Sequence, residues 1–166
     1  MKPFVIPGTV ALVLSASLAC TGIALATPGD QETEIVGRSS VGPVETGPGA
    51  FSVNSDNIQL TLDKATDVVV NHSTMAPGGT SGWHSHPNVV FVTLTEGTLT
   101  VYDADDPKCT SYVVHAGEGF VEPIDHVHIV RNESPTDRAS WYATHIGVPT
   151  GVSTRTDAPS PGNCPF

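Results

Sequence analysis

The chain has 166 residues, with seven Lys and Arg against seventeen Asp and Glu, for a formal charge of −10. That length fits one domain, and the acidic balance without a basic patch makes nucleic acid and anionic membrane poor partners. Val and Thr are frequent, Gly and Pro are spread as punctuation, and no helical stripe, internal repeat or P-loop occurs, so an all-β fold is expected.

Residues 1–26 read as a signal peptide. Lys2 is the single charge before an apolar run from Phe4 to Ala26, broken by Pro7, Gly8 and Gly22. Ala24-Leu25-Ala26 has the small-x-small pattern of a cleavage site, which puts the mature start at Thr27. The competing readings are an uncleaved anchor and a lipid tether at Cys20, but Ser17 stands where a lipobox carries an aliphatic residue. Cleavage is favoured, leaving no stable membrane insertion and a secreted or extracytoplasmic chain. Six Lys and Arg then face seventeen Asp and Glu, a charge of −11. It also leaves Cys109 and Cys164, an even pair that an oxidising compartment converts to a disulfide.

Residues 27–50 are poor in apolar side chains and rich in Gly, Pro and Thr, so a flexible leader is expected, with a short edge strand near Glu34 to Gly37. Short β-like runs separated by turn signals fill residues 51–148, from "IQLTL" and "TDVVVNHSTM" through "NVVFVTLTEG", "TLTVYD" and "SYVVH" to "HVHIVRN" and "ASWYATHIGV". Strands of this length and spacing predict a β-sandwich or small barrel. Residues 149–166 form a Pro- and Ser-rich tail that the disulfide would tie back.

The chemistry gathers in two segments. In "GGTSGWHSHPNVV", His84 and His86 lie two apart and share a strand face. Val90, Val92 and Leu94 continue the same parity, so that face is the inward one. Two buried imidazoles are costly without a partner, and a metal ion supplies one. In "GEGFVEPIDHVHIVRN" the candidates are His126 and His128, with Glu122 just before Pro123.

Together the two segments resemble the motifs of the cupin superfamily. The first motif is matched by Gly78, His84, His86 and Gly97, and the second by Gly117, Pro123, His128 and Asn132, each at the family's spacing. Two positions depart from it. Val90 stands where the family carries its metal-binding Glu, and Asp125 stands for a Gly, a milder change because Asp tolerates turn conformations.

The resemblance implies a double-stranded β-helix, the cupin jelly-roll barrel, holding one divalent transition metal ion (Fe, Mn, Cu, Ni or Zn) on His84, His86 and His128. It implies a small-molecule ligand or substrate, and a homodimer through sheet edges. The expected activity is oxygenase-like, with Glu122 or His126 as proton carrier. The rival readings are a non-catalytic metal or small-ligand binder and a metal-free structural barrel. His145 and His72 are read as hydrogen-bonded or supporting residues, and His115 as a loop residue. Trp83, of opposite parity to the histidines, is expected to pack outward or at a subunit contact; Phe91, Phe120, Trp141 and Tyr142 are expected in core or interface.

Overall fold

A computed structural model describes residues 28–42, 51–54, 57, 59–62 and 66–166. The expected signal peptide lies outside these residues, as does the end of the leader.

Among the described residues the chain is strand and turn without helix. The strands are β1 (Gly29–Val41), β2 (Phe51–Asn54), β3 (Gln59–Leu62), β4 (Thr66–Thr80), β5 (His84–Ser85) and β6 (Val89–Glu96). They continue as β7 (Thr98–Asp103), β8 (Ser111–His115), β9 (Gly119–Glu122), β10 (His128–Arg131), β11 (Ala139–Val148) and β12 (Thr156–Asp157). Apart from the β2–β3 hairpin, all belong to one antiparallel sheet in the order β12-β5-β10-β4-β11-β6-β9, with β1 added on β4, β7 on β10 and β8 on β7. The sheet curls into the double-stranded β-helix.

Alternation along the strands decides what lies inside. In β6, Val90, Val92 and Leu94 are buried and Phe91, Thr93 and Thr95 are exposed, the parity expected from the sequence. In β11, Trp141, Ala143 and His145 face inward while Tyr142 faces out, stacked on His72 with ring centroids 4.8 Å apart. Met75, Leu94, Leu99, Val101 and Val114 pack with Trp141 into the main apolar core. Phe120 packs against that core, whereas Phe91 is 44% exposed and lies outside it.

The turns show why the motif residues are what they are. Gly97 adopts φ 77° between β6 and β7, and a Cβ there would run into the Arg138 carbonyl, so no side chain fits. Asp125 adopts φ 56°, the left-handed conformation for which the family uses Gly. The same turn directs the Asp125 N–H to the His86 carbonyl at 2.8 Å, joining the two motifs. Asn132 is buried and its amide donates to the carbonyls of Met75, Ala76 and Asp137, so it clips loops together away from the histidines.

Three expectations are corrected. The segment read as a flexible leader with a short strand near Glu34 to Gly37 is a 13-residue strand over Gly29–Val41, paired along β4. Backbone hydrogen bonding to a long neighbour forms it despite its few apolar side chains. The C-terminal tail also carries a strand: β12 pairs with β5, Thr156 opposite Ser85 and Asp157 opposite His84. Trp83 does face away from the barrel interior, yet it is 1% exposed. It is covered by the tail, in a second apolar cluster with Tyr102, Ile129 and Cys164.

The disulfide joins Cys109 to Cys164. Around it Asn163 donates to the carbonyls of Asp103, Ala104 and Asp106, and Phe166 meets Tyr102 edge-to-face and lies under the Arg131 guanidinium.

Candidate metal centre

β5 is two residues long and begins at His84, with His86 just beyond its end. β10 begins at His128, and in the antiparallel register His128 lies directly opposite His84. Two short strand ends thus bring residues from distant parts of the sequence to one point inside the barrel. Ring centroids are 4.4 Å apart for His84 and His128, 4.9 Å for His84 and His86, and 5.5 Å for His86 and His128. One nitrogen from each ring lies within 4.8 Å of the others, and all three side chains are buried.

The outer face of each ring fixes its tautomer. His84 Nδ1 meets the Gly82 carbonyl at 2.9 Å, His128 Nδ1 meets the His126 carbonyl at 3.0 Å, and His86 Nδ1 meets the carbonyl of Thr154 in the tail. A carbonyl oxygen only accepts, so each Nδ1 carries the proton and donates. In the neutral rings the lone pair is then on Nε2, and all three Nε2 atoms point to the shared centre. This arrangement, with a backbone acceptor behind each imidazole, is how metal-ligating histidines are oriented.

Glu122, the last residue of β9, reaches the same centre. Its Oε1 lies 3.0 Å from His128 Nε2 and its Oε2 lies 3.1 Å from His86 Nε2. The carboxylate is 8% exposed. Burial pushes its pKa up, but His128 and His86 outweigh burial and hold it well below the usual carboxylate range. Burial likewise lowers His128, and Glu122 outweighs that to raise it. His84 lacks a carboxylate; burial, with the nearby positive charge of His128, Arg155 and His86, pushes it well below the usual imidazole value.

A transition metal ion fits this set of residues. His128 Nε2 is buried and has no hydrogen bond of good geometry, although a carboxylate oxygen is 3.0 Å away. When neutral, the three buried imidazoles present convergent Nε2 donors to one centre. Imidazole suits Fe, Mn, Cu, Ni and Zn alike, so the donors set the class of ion and not its identity.

The centre opens on a cavity of about 140 Å³. Asn71 and Ser73 of β4, His145 of β11, Gln31 and Thr33 of β1, and Thr154 and Arg155 of the tail line its polar wall. Val92, Leu99 and Trp141 line the apolar one. Arg155 is fixed by hydrogen bonds to Asp157 (2.6 Å) and to the Ser81 carbonyl (2.7 Å). His145 sits with its ring centroid 5.1 Å from that of His86, between the amides of Asn71 and Asn88. Burial and the nearby His86 lower its pKa to about 4, so it is neutral in ordinary buffers.

His84, His86, His128 and Glu122 therefore come together, and His126 does not join them. A regular strand would give it the parity of His128, but it sits in the turn and the strand starts only at His128. The His126 ring lies in an outer groove that also borders Glu122 and His128, and its nitrogens are 3.7 Å from Asp103 and 3.4 Å from Asp105. His72 bonds Ser140 on the outer face, and His115 ends β8 exposed. What the sequence did not disclose is the contribution of β1 and the tail: Thr154 behind His86, and Arg155, Gln31 and Thr33 in the wall. Only the pairing of Cys109 with Cys164 hinted that the tail returns.

Residues 71–145 match the family model described as Cupin domain. The chain is similar to Peruvianin-I, a cysteine peptidase from Thevetia peruviana latex, at 22% identity over 56% of either chain (TM-score 0.46). It is similar to a cupin-like protein from Thermotoga maritima at 18% identity, over 56% of this chain and 65% of that one (TM-score 0.47). It is also similar to a recombinant oxalate oxidase in complex with glycolate at 32% identity, over 48% of this chain and 42% of that one (TM-score 0.42). In each case less than two thirds of the solved chain is spanned. No curated protein matches. With both motifs on strands that bring their histidines to one centre inside a double-stranded β-helix, residues 71–145 form a cupin domain.

Proposed function

We propose that this cupin is an extracytoplasmic metalloprotein in which His84, His86 and His128 hold one divalent transition metal ion, and that it acts on a small molecule in oxygenase-like chemistry. The observation that carries the reading is the shared tautomer: three Nδ1–H groups spent on backbone carbonyls and three Nε2 lone pairs aimed at one point. The disulfide and the absence of a membrane-spanning helix among the described residues fit an oxidising compartment.

When bound, such an ion supplies Lewis acidity and free coordination positions for an oxygen-bearing substrate. The chain's own residues shape the rest. The cavity is well below the roughly 300–1,000 Å³ of sites for drug-sized ligands, which selects a substrate of few heavy atoms. The Asn71 amide and Ser73 hydroxyl offer it hydrogen bonds, and the Arg155 guanidinium favours an anionic group. Val92, Leu99 and Trp141 exclude water from the opposite side. Glu122 is the carboxylate placed to take a proton from a ligand in the cavity; His126, in its outer groove, is not.

A second reading is a non-catalytic binder of the ion or a small ligand. The smallness of the cavity and its cover by the tail favour it. Oxygen consumption by the metal-loaded protein, with a panel of diketones, catechols and thiols, separates the two. Turnover with any of them supports the enzyme; a full equivalent of metal with no turnover supports the binder.

A further inference from the structure

We infer that Glu122 is a fourth ligand of the ion: the carboxylate that the first motif lacks at Val90 is supplied from the neighbouring strand. The inference rests on the three-histidine reading above and adds a donor to it.

Register makes the exchange one of neighbours. Val90 of β6 and Glu122 of β9 are direct cross-strand partners. Residues so opposed share a face and have Cβ atoms about 4.5–5.5 Å apart. Both are buried, Val90 completely. A carboxylate on the β9 side of the pair therefore points into the same space as one on the β6 side. The sequence hides this because the two residues are 32 positions apart, 122 − 90. Only the β6–β9 pairing joins them.

The contacts show what the carboxylate does there. Oε1 and Oε2 lie 3.0 and 3.1 Å from the Nε2 atoms of His128 and His86, whose Nδ1 atoms are turned to the backbone carbonyls behind them. Two carboxylate oxygens thus face two imidazole nitrogens in a site nearly closed to water. Without a proton or a cation between them such a contact is repulsive and costly to bury. A cation among the four atoms turns every one of these contacts into an attraction. The charge balance agrees. Three neutral imidazoles leave a divalent ion at +2 beside the Arg155 guanidinium, and one carboxylate brings that to +1. Ligation through one oxygen leaves the other to take the proton.

The test uses the full mature chain at neutral pH. Affinity for Co²⁺ is measured by competition with a chelator, and the visible spectrum of the Co²⁺ form is recorded for wild type, Glu122→Gln and the relocated pair Val90→Glu/Glu122→Val. Glu122→Gln is expected to weaken binding about 100-fold, at the upper end of what metal-site partners contribute, and to change the Co²⁺ bands. The relocated pair is expected to recover at least about tenfold of that loss, because it returns a carboxylate to the same space. If Glu122→Gln does not fold, Glu122→Ala, which also lacks the carboxylate, takes its place with the same two outcomes. Wild-type affinity and an unchanged Co²⁺ spectrum in that variant would overturn the inference while leaving the three-histidine site standing. A wild-type chain that binds no Co²⁺ would overturn both.

Discussion

The two ends of the barrel interior are built from the same strands and do opposite work. Along β11, Trp141 packs in the apolar core, whereas His145, four residues on, lies beside His86. Along β4, Met75 belongs to the core, while Ser73 and Asn71 open on the cavity. At the apolar end stability comes from excluded water and close packing, and no partner is needed. At the polar end four titratable side chains are buried around one point, and the strands alone do not satisfy them. That end is completed from outside the family's core region, by the Thr154 carbonyl, Arg155 and two residues of β1. The comparison teaches that the apolar end makes the barrel, while the centre depends on what the flanking segments add to it.

The strongest way to break this division is to remove the centre and ask whether the barrel survives. His84→Ala/His86→Ala deletes two of the three imidazoles and leaves the apolar core untouched. The expected outcome is loss of the full metal equivalent, by elemental analysis of protein purified without a His-tag, with a cooperative unfolding transition retained. Undiminished metal in the double variant would show that the histidines are not the ligands.

Cutting the tail's anchor tests the dependence on flanking segments. The disulfide closes a separation of 55 residues, worth about 4 kcal/mol in the chain-entropy model. Cys109→Ser/Cys164→Ser is expected to lose about that much in denaturant unfolding. It also loosens the segment whose Thr154 carbonyl orients His86, so metal affinity should fall about tenfold, in the range found for residues behind a metal ligand. Loss of stability with unchanged affinity would detach the tail from the centre.

The reciprocal experiment is made at the other end. Leu94 is 1% exposed in the apolar core, and truncation of such a side chain costs about 2–5 kcal/mol. Leu94→Ala should lower stability within that range and leave the metal affinity of the folded protein where it was. An affinity loss as large as the one expected from the tail would mean that the two ends are coupled through the barrel.

How far the sequence disclosed each end follows from the same division. The apolar end was legible because period-two alternation is a local property: Val90, Val92 and Leu94 announced their face without knowledge of any neighbour. The histidines were legible because their spacing within each motif is local too. The left-handed Asp125 followed from the residue type that tolerates it. What was hidden depends on register between distant strands. That Glu122 opposes Val90 is a property of the β6–β9 pair. Its inward face was nonetheless available in "GFVE", where Phe120 and Glu122 share parity. β1 was hidden because its exposed, polar side chains follow no burial pattern, its order coming from backbone pairing to β4.

The smallest effect expected concerns how β1 and the tail are held to the barrel. Arg38 of β1 donates to Asp67 of β4 at 2.7 Å and to the Val152 carbonyl of the tail at 3.1 Å, and Thr150 donates to the same Asp67 carboxylate at 3.3 Å. The hydrogen bond from Arg38, opposed in part by burial, lowers the Asp67 pKa below its ordinary value of 3.8. The sign follows from which state takes the proton first. As pH falls through 3.8 the unfolded chain is protonated at Asp67 while the folded one still resists, so folding loses this contribution. The pair is fully stabilising above that value, and its contribution is gone once the folded carboxyl is protonated as well. Asp67→Asn should therefore melt below wild type at neutral pH, and the gap should close as the buffer is taken to pH 3 and lower, since only the wild type has the interaction to lose. The pair is part-exposed, so added salt should narrow the neutral gap too. A gap that stays constant with pH would assign the effect to the lost shape of the carboxylate, and β1 would then be held to the barrel without help from this ion pair.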